Sequence, residues 1–353
     1  MGCGGGRTHL LSLARNAHNV MTTITTFAKT PEPLNPAADQ LYHVVCSIDG
    51  RWQKLRQIGD AGGDPLPGFV GAACAEVSGA LMLAAVGTDG ELYHTTSDSD
   101  GDWRPFAALR DEWIEGGPRE FYAAACCETR GGLQLIGLGS DSRLYHTVRL
   151  PDGSWQGQFG LIDAEAHGGP DAFAGLCCAA SGDSLHLVAR DHDGQVHHAV
   201  RDGDGYWQDF HGLGSLYDAP ARFVAVDCAI GWDGALHVVG VGSDAQLYHT
   251  IRWPDGSWQR YFGVLGGQQH GVALRFALSV ACARVGHDLA VVAICSDHRL
   301  FHSTRLPDGS WRRSMWFGEQ QHRDSPVEFF DVSCASNGDA LHLVGGTWQG
   351  GFA

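Results

Sequence analysis

Residues 247–258 read LYHTIRWPDGSW. The stretch joins an alternating run, an Arg, a Pro-Asp-Gly turn and a Trp, and in isolation it has the residue types of a catalytic box. It is not isolated. Related stretches start at Leu41 (LYHVVCSIDGRW), Leu92 (LYHTTSDSDGDW), Leu144 (LYHTVRLPDGSW), Val196 (VHHAVRDGDGYW) and Leu300 (LFHSTRLPDGSW). The box His falls at His43, His94, His146, His198, His249 and His302, in steps of 51 to 53 residues. A Trp stands nine residues after each of them: Trp52, Trp103, Trp155, Trp207, Trp258 and Trp311. A period near fifty residues, built from strand-like units, predicts a β-propeller.

A second element precedes each box. LMLAAVGTDG starts at Leu81, LQLIGLGSDS at Leu133, LHLVARDHDG at Leu185, LHVVGVGSDA at Leu236 and LAVVAICSDH at Leu289. Further upstream lies a run of small residues such as AAACC, GLCCA or VSCA. Each unit therefore reads as four strands: a small-residue inner strand, the LHVVGV strand, the LYHT strand and an outer strand begun by the Trp. The chain opens with a third and fourth strand (Leu41–Trp52) and closes with a first and second (Phe329–Val344). Pairing these halves gives six whole blades and removes the exposed sheet edges. The expectation is an all-β, six-bladed propeller over residues 40–353, preceded by a tail and proline-bearing linker over residues 1–39. The alternative is a seventh, partial blade that uses MTTITTFA (residues 21–28) as an extra strand.

The box spacing has a mechanical explanation. Alternating side chains suit a sheet covered on both faces. In Pro-Asp-Gly the Pro fixes φ, the Asp side chain caps and the Gly takes the positive φ of a bulged hairpin. Asp89, Asp141, Asp193, Asp244 and Asp297 mark the preceding hairpin in the same way. A box repeated in every blade suits construction better than chemistry, which needs one site.

Composition narrows the partners. The formal charge of −16 opposes binding to nucleic acid and to anionic membrane. No apolar run is long enough to span a bilayer, and no secretory signal is recognised at the N-terminus. Eleven cysteines include no CxxC, and a rotation of about 60° between blades is expected to hold neighbouring copies beyond the ~7 Å bridging distance. Adjacent pairs such as Cys177-Cys178 should face opposite ways. Unpaired thiols fit a reducing, cytoplasmic compartment. The histidines are spread around the ring and no HExxH occurs, so no metal and no cofactor are expected. The oligomeric state is not legible.

The pairing of LHVVGVGSD with LYHTIR-PDGSW resembles a family of bacterial β-propeller repeat proteins, over about residues 40–345. At greater distance it resembles the fucose-binding propeller lectins and the tectonin-type propellers. The Asp-Gly-Ser-Trp turn is similar to the sialidase Asp-box but departs from it, with one residue instead of two between Gly and Trp. The lectin resemblance implies sugar sites between adjacent blades, with aromatic faces stacking on the ring and Arg donating to hydroxyls. The candidate ligand residues are Arg149 with Trp155, Arg201 with Trp207, Arg252 with Trp258 and Arg305 with Trp311. The other two boxes carry Cys46 and Ser97 at the Arg position and are expected to be silent. Two further readings stay open. One is a protein-interaction scaffold. The other is a glycoside hydrolase or lyase using asymmetric acidic loops, with Asp111, Glu112, Trp113, Glu115 and Glu120 in one and Glu319, His322, Asp324 and Glu328 in the other. A non-catalytic, carbohydrate-binding propeller is the favoured reading.

Overall fold

The computed structural model describes residues 39–58, 67–98, 101–112, 114–265, 276–317 and 329–348. Residues 1–38, and with them the stretch considered for a seventh blade, lie outside the described residues. The described residues form six four-stranded antiparallel sheets. Blade 1 unites the two chain ends, in the order β2 (Arg56–Gln57), β1 (Asp39–Ser47), β24 (Ala340–Trp348) and β23 (Phe329–Ser336). Blade 2 runs from inside to outside as β3 (Phe69–Val77), β4 (Ala80–Gly87), β5 (Leu92–Thr96) and β6 (Ala107–Ala108). Blade 3 is β7 (Phe121–Thr129), β8 (Gly132–Gly139), β9 (Leu144–Arg149) and β10 (Gly160–Ile162). Blade 4 is β11 (Phe173–Ser181), β12 (Ser184–Asp191), β13 (Val196–Arg201) and β14 (His211–Gly212). Blade 5 is β15 (Phe223–Ile230), β16 (Leu236–Gly242), β17 (Leu247–Arg252) and β18 (Gly263–Leu265). Blade 6 is β19 (Ala277–Val285), β20 (Asp288–Cys295), β21 (Leu300–Arg305) and β22 (Met315–Trp316). Each inner strand contacts the inner strands on either side, and β23 meets both β19 and β3, so the ring closes.

The closure is a nine-residue ladder. β1 pairs with β24 from Asp39↔Trp348 to Ser47↔Ala340. Asp39, placed with the leader in the sequence reading, opens β1. The outer strands differ from expectation. They begin four or five residues after the Trp, and the Trp itself makes only an isolated bridge to the Arg position of its own box.

The core lies between the blades. Every residue of β8 and of β16 is buried, because a middle strand of a blade is covered on both faces. Leu135 and Leu187 are fully enclosed, and burying such side chains stabilises by about 1.5–3 kcal/mol each. Close packing explains one glycine: a Cβ on Gly240 would fall 2.6 Å from the Phe223 ring of the inner strand. The second-to-third-strand turns behave as read. Asp89, Asp141 and Asp244 each accept from the backbone N–H two residues on and from a Tyr hydroxyl at 2.6–2.7 Å. Blade 4 departs: Asp191, not Asp193, accepts from Gln195 N and contacts His197 Nε2 at 2.9 Å, while Asp193 faces Arg222.

None of the described cysteines is bridged to another. Thiols of adjacent blades do meet, Cys127 with Cys178 and Cys177 with Cys228. They meet because side chains of neighbouring inner strands converge on the seam, where the ring is narrowest. The prediction that Cys177 and Cys178 face opposite ways holds, since each reaches a different blade. All ten described cysteines are free, and burial pushes the Cys177 and Cys282 thiols upward.

Candidate functional site

The box His and Trp form a girdle. Each box His lies edge-on to the box Trp of the following blade: His43–Trp103, His94–Trp155, His146–Trp207, His198–Trp258, His249–Trp311 and His302–Trp52. Centroid separations are 5.3–6.3 Å with interplanar angles of 72–90°. The last contact joins blade 6 to the N-terminal strand pair. Edge-to-face contact places the positive ring edge on the partner's π face.

The buried imidazoles need partners of their own. The residue after the leading Leu of the second strand supplies them. His342 lies 3.1 Å from His43, Gln134 2.9 Å from His146, His186 3.0 Å from His198 and His237 3.0 Å from His249. Burial holds these rings neutral: His43 and His237 fall to about 4 and His146 to about 3. In blades 2 and 6 the partner position is Met82 and Ala290. There His302 has one side-chain hydrogen-bond contact among the described residues, with Thr304 Oγ1 at 3.4 Å. Among the described residues neither ring nitrogen of His94 has a well-formed hydrogen bond; Glu112 stands close, with Oε1 3.5 Å from Nε2.

The antiparallel bridge between the Arg position and the Trp stands both side chains on one face of the blade. So the structure brings each candidate Arg beside its Trp: Arg149 with Trp155, Arg201 with Trp207, Arg252 with Trp258 and Arg305 with Trp311. That face looks onto the preceding blade. Each guanidinium curls over the Gly of its own turn, and a Cβ on Gly153, Gly205, Gly256 or Gly309 would come within 2.9–3.3 Å of an Arg Nη2. These glycines also take positive φ, from 86° to 96°. All four arginines are partly buried, and burial lowers their pKa. Arg201, Arg252 and Arg305 have no hydrogen-bond or ion-pair partner among the described residues. Arg149 has only the Met82 sulfur, at 3.9 Å from Nη1. The indoles are less open. Trp155 is 9% exposed, and the others are half-buried against the inter-blade clusters.

The two boxes without Arg are closed differently. Ser97 Oγ accepts from Leu81 N at 3.1 Å within its own blade. The Cys46 thiol donates to Ser47 O at 3.6 Å.

Two junctions gather more than the box. Between blades 2 and 3, Glu112 approaches both His94 and Arg149. Trp155 Nε1 and Arg149 Nε are buried there without hydrogen-bond partners among the described residues. Between blades 5 and 6, Asp233 and Tyr261 lie near Arg305, and Trp232, half exposed, packs against His287 at 5.4 Å. Sequence reading missed these groups because they belong to turns and loops that the repeat does not fix. Of the acidic-loop candidates, Glu112 reaches a box. Glu115 serves through its backbone, which bonds Gly157 O and Phe159 N, and Glu120 packs over Gly90. Trp113, Glu319, His322, Asp324 and Glu328 lie outside the described residues. Among the described residues no helix is long and apolar enough to cross a membrane, and no cluster has metal-holding geometry.

No family model matches the chain, and no curated protein matches it. Solved structures do. A lectin from Burkholderia pseudomallei aligns with a TM-score of 0.52 at 19% identity, covering 75% of this chain and 74% of that one. AofleA from Arthrobotrys oligospora aligns at 0.55 and 11% identity, covering 79% of each chain. A variant of AofleA with three arginines replaced by alanine also aligns, at 0.52. The fucose-recognising, six-bladed lectin of Aleuria aurantia aligns at 0.51 and 15% identity, covering 76% and 84%. At these identities the likeness establishes the six-bladed fold that the chain shares with propeller lectins.

Proposed function

We propose that this propeller binds carbohydrate in the grooves between adjacent blades, and that Arg149, Arg201, Arg252 and Arg305 are the hydrogen-bond donors. The observation that carries the reading is the half-buried guanidinium repeated at four junctions, which among the described residues has no hydrogen-bond partner at three of them and only the Met82 sulfur at the fourth. A desolvated donor without an acceptor costs free energy, and a hydroxylated ligand supplies acceptors. The neighbouring Trp155, Trp207, Trp258 and Trp311 provide apolar surface for the C–H face of a sugar ring. The structural neighbours that are lectins, among them the fucose-recognising lectin of Aleuria aurantia, support the same ligand class. Repeated shallow sites suit weak, multivalent binding.

A glycan array identifies the sugar and titration calorimetry counts the sites. Arg252→Ala is expected to remove about one site and to move stability by under ~1 kcal/mol, as for a partly exposed polar residue. Unchanged stoichiometry together with a large loss of stability would show the Arg to be a packing element.

A further inference from the structure

We infer that the hairpin end of the propeller docks on the headgroup layer of a zwitterionic lipid bilayer, lying on the membrane without crossing it. This goes beyond the carbohydrate reading and does not depend on it.

Strands alternate in direction within a blade, so the first-to-second and third-to-fourth turns of every blade emerge at one end of the ring. Neighbouring tips meet there. Gly286 N donates to Gly338 O at 2.6 Å, and Arg130 pairs with Asp183 at 3.0 Å. Among the described residues, Ile48, Leu150, Tyr206, Trp232 and Trp253 stand in these turns with 40–73% of their surface exposed. The turns do not require such side chains. Leu150, Trp253 and Leu306 serve their turns through backbone, each N–H donating to the O of the Ser four residues on at 2.7–2.8 Å. Asp98 and Asp202 hold the same place in blades 2 and 4 and make the same backbone bond at 2.8–2.9 Å. Large apolar side chains that folding leaves in water mark a contact surface.

The layout selects the occupant. The exposed side chains are spread over blades 1, 3, 4 and 5 at one level, so what meets them together is broad and flat. A peptide segment would reach two or three of them. A second copy would bring a further formal charge of −16 against the same acidic tips. Trp, Tyr, Leu and Ile suit a membrane interface, with their apolar bodies toward the acyl chains and the indole and phenol polar groups among the headgroups.

The charges fit headgroups that carry both signs. Asp49, Asp152, Asp255 and Asp308 are exposed at the tips. The hydroxyls of Ser47, Ser154, Ser257 and Ser310 donate to them and hold these carboxyls below the usual range. Arg51 at a tip is joined to Asp49 at 3.3 Å, and Arg284 is exposed near the end of β19. Lys54, Arg104, Arg312 and Arg313 are exposed and set back, within two residues of a box Trp. Carboxylates face the headgroup ammonium and the cations face its phosphate. An anionic bilayer would meet the tip carboxylates with its own sign.

Co-sedimentation of the full chain with phosphatidylcholine vesicles free of glycolipid tests the docking. The protein is expected to pellet with them, and brominated acyl chains are expected to quench part of its tryptophan fluorescence. Trp232→Ser combined with Trp253→Ser should weaken binding by about tenfold and remove that quenching. Ile48→Ser combined with Leu150→Ser, on two other blades, should weaken binding as well. Both double variants should melt like the parent, since they alter exposed side chains. Adding phosphatidylserine to the vesicles should weaken binding. Protein that stays in the supernatant, or binding that both double variants leave unchanged, would overturn the inference. So would a dimer in size-exclusion chromatography that the same variants abolish, since the face would then belong to a second copy. None of these results alters binding on a glycan array, which decides the carbohydrate reading separately.

Discussion

The junction between blades 4 and 5 and the junction between blades 6 and 1 share one scaffold and differ in filling. At the first, His186 stacks on His198, Trp258 meets His198 edge-on at 5.4 Å, and Arg252 stands beside Trp258. At the second, Trp52 meets His302 edge-on at 5.6 Å, but Ala290 stands opposite where a His would be and Cys46 replaces the Arg. The His–Trp contact is constant because each blade needs it to hold the next. The flanking positions vary because neither is required for that contact. The opening stretch of sequence therefore holds a structural contact, the His–Trp pair, and beside it the Arg that is proposed to serve a ligand.

The most damaging way to break the comparison is to remove one junction outright. Deleting residues 1–52 takes away β1 and Trp52, exposing the β24 edge and the His302 face. The product should aggregate in size-exclusion chromatography and lose its cooperative melt. Deleting residues 1–20, which carry no repeat element, should leave the melt unchanged.

Acid should separate the junctions next. The imidazoles of His43, His186, His237 and His302 are lowered from 6.5 to about 4. A group that is harder to protonate in the folded state stabilises fully above its unfolded pKa, and this is lost as pH falls toward the folded value. Each such shift corresponds to about 3 kcal/mol, and several together exceed the stability of an ordinary domain. Thermal melts should therefore collapse between about pH 6.5 and 4. Hydrogen exchange should show the two-His junction of blades 4 and 5 opening before the one-His junction of blades 6 and 1. Equal opening would place the proton sensitivity elsewhere.

A carboxylate at the inner seam acts in the opposite sense. Asp227 accepts from Cys282 N of the next blade at 2.6 Å, and burial pushes its carboxyl up to about 7. A raised folded pKa means stability present at low pH and lost as pH climbs from the unfolded value of 3.8 through about 7. Asp227→Asn keeps an acceptor without a charge. At pH 8 it should raise stability by roughly 2–4 kcal/mol, with little effect at pH 4. A loss of stability at pH 8 would show that the charge is held by something other than Cys282 N.

The smallest expected difference sharpens the role of the His partner. His249→Leu strands His237 in the core and should cost about 1–3 kcal/mol. His94→Leu strands no in-blade partner, because that position is Met82, and should stay within ~1 kcal/mol of the parent. Denaturant melts of the two variants measure the gap, and equal losses would mean that the imidazole pair adds nothing beyond the Trp contact.

The blade count and the shared blade were legible because a covered sheet imposes a strict period of two on side chains and a fixed length on the unit. The candidate Arg and Trp could be paired in advance for the same reason: they flank one hairpin. The second-strand partner of the box His was also within reach, since the LHLV and LHVV spellings recur at a fixed distance before it, but its meaning needs the cross-strand register. Glu112, Asp233 and Trp232 were not readable as site residues, because loop residues find their neighbours only once the blades are set side by side. Nor was the smaller filling of the blade 6–blade 1 junction, where Cys46 and Ala290 are each unremarkable and matter only by lying across the same gap. The short outer strands were overestimated because the Trp is conspicuous while the residues that pair, such as Arg56–Gln57, carry no pattern.

The composite blade also bears on how the chain comes to be folded. His43 finds its hydrogen-bond partner 299 residues away, in His342. Every other four-stranded unit can assemble from one continuous stretch of about fifty residues, soon after it leaves the ribosome. The N-terminal strand pair cannot. It stays without its neighbours until nearly the whole chain has been synthesised, and closing so long a loop is entropically the costliest step. The late joining of β1 to β24 then acts as an inspection of the ring, since a product that stalls before β24 has nothing with which to close it.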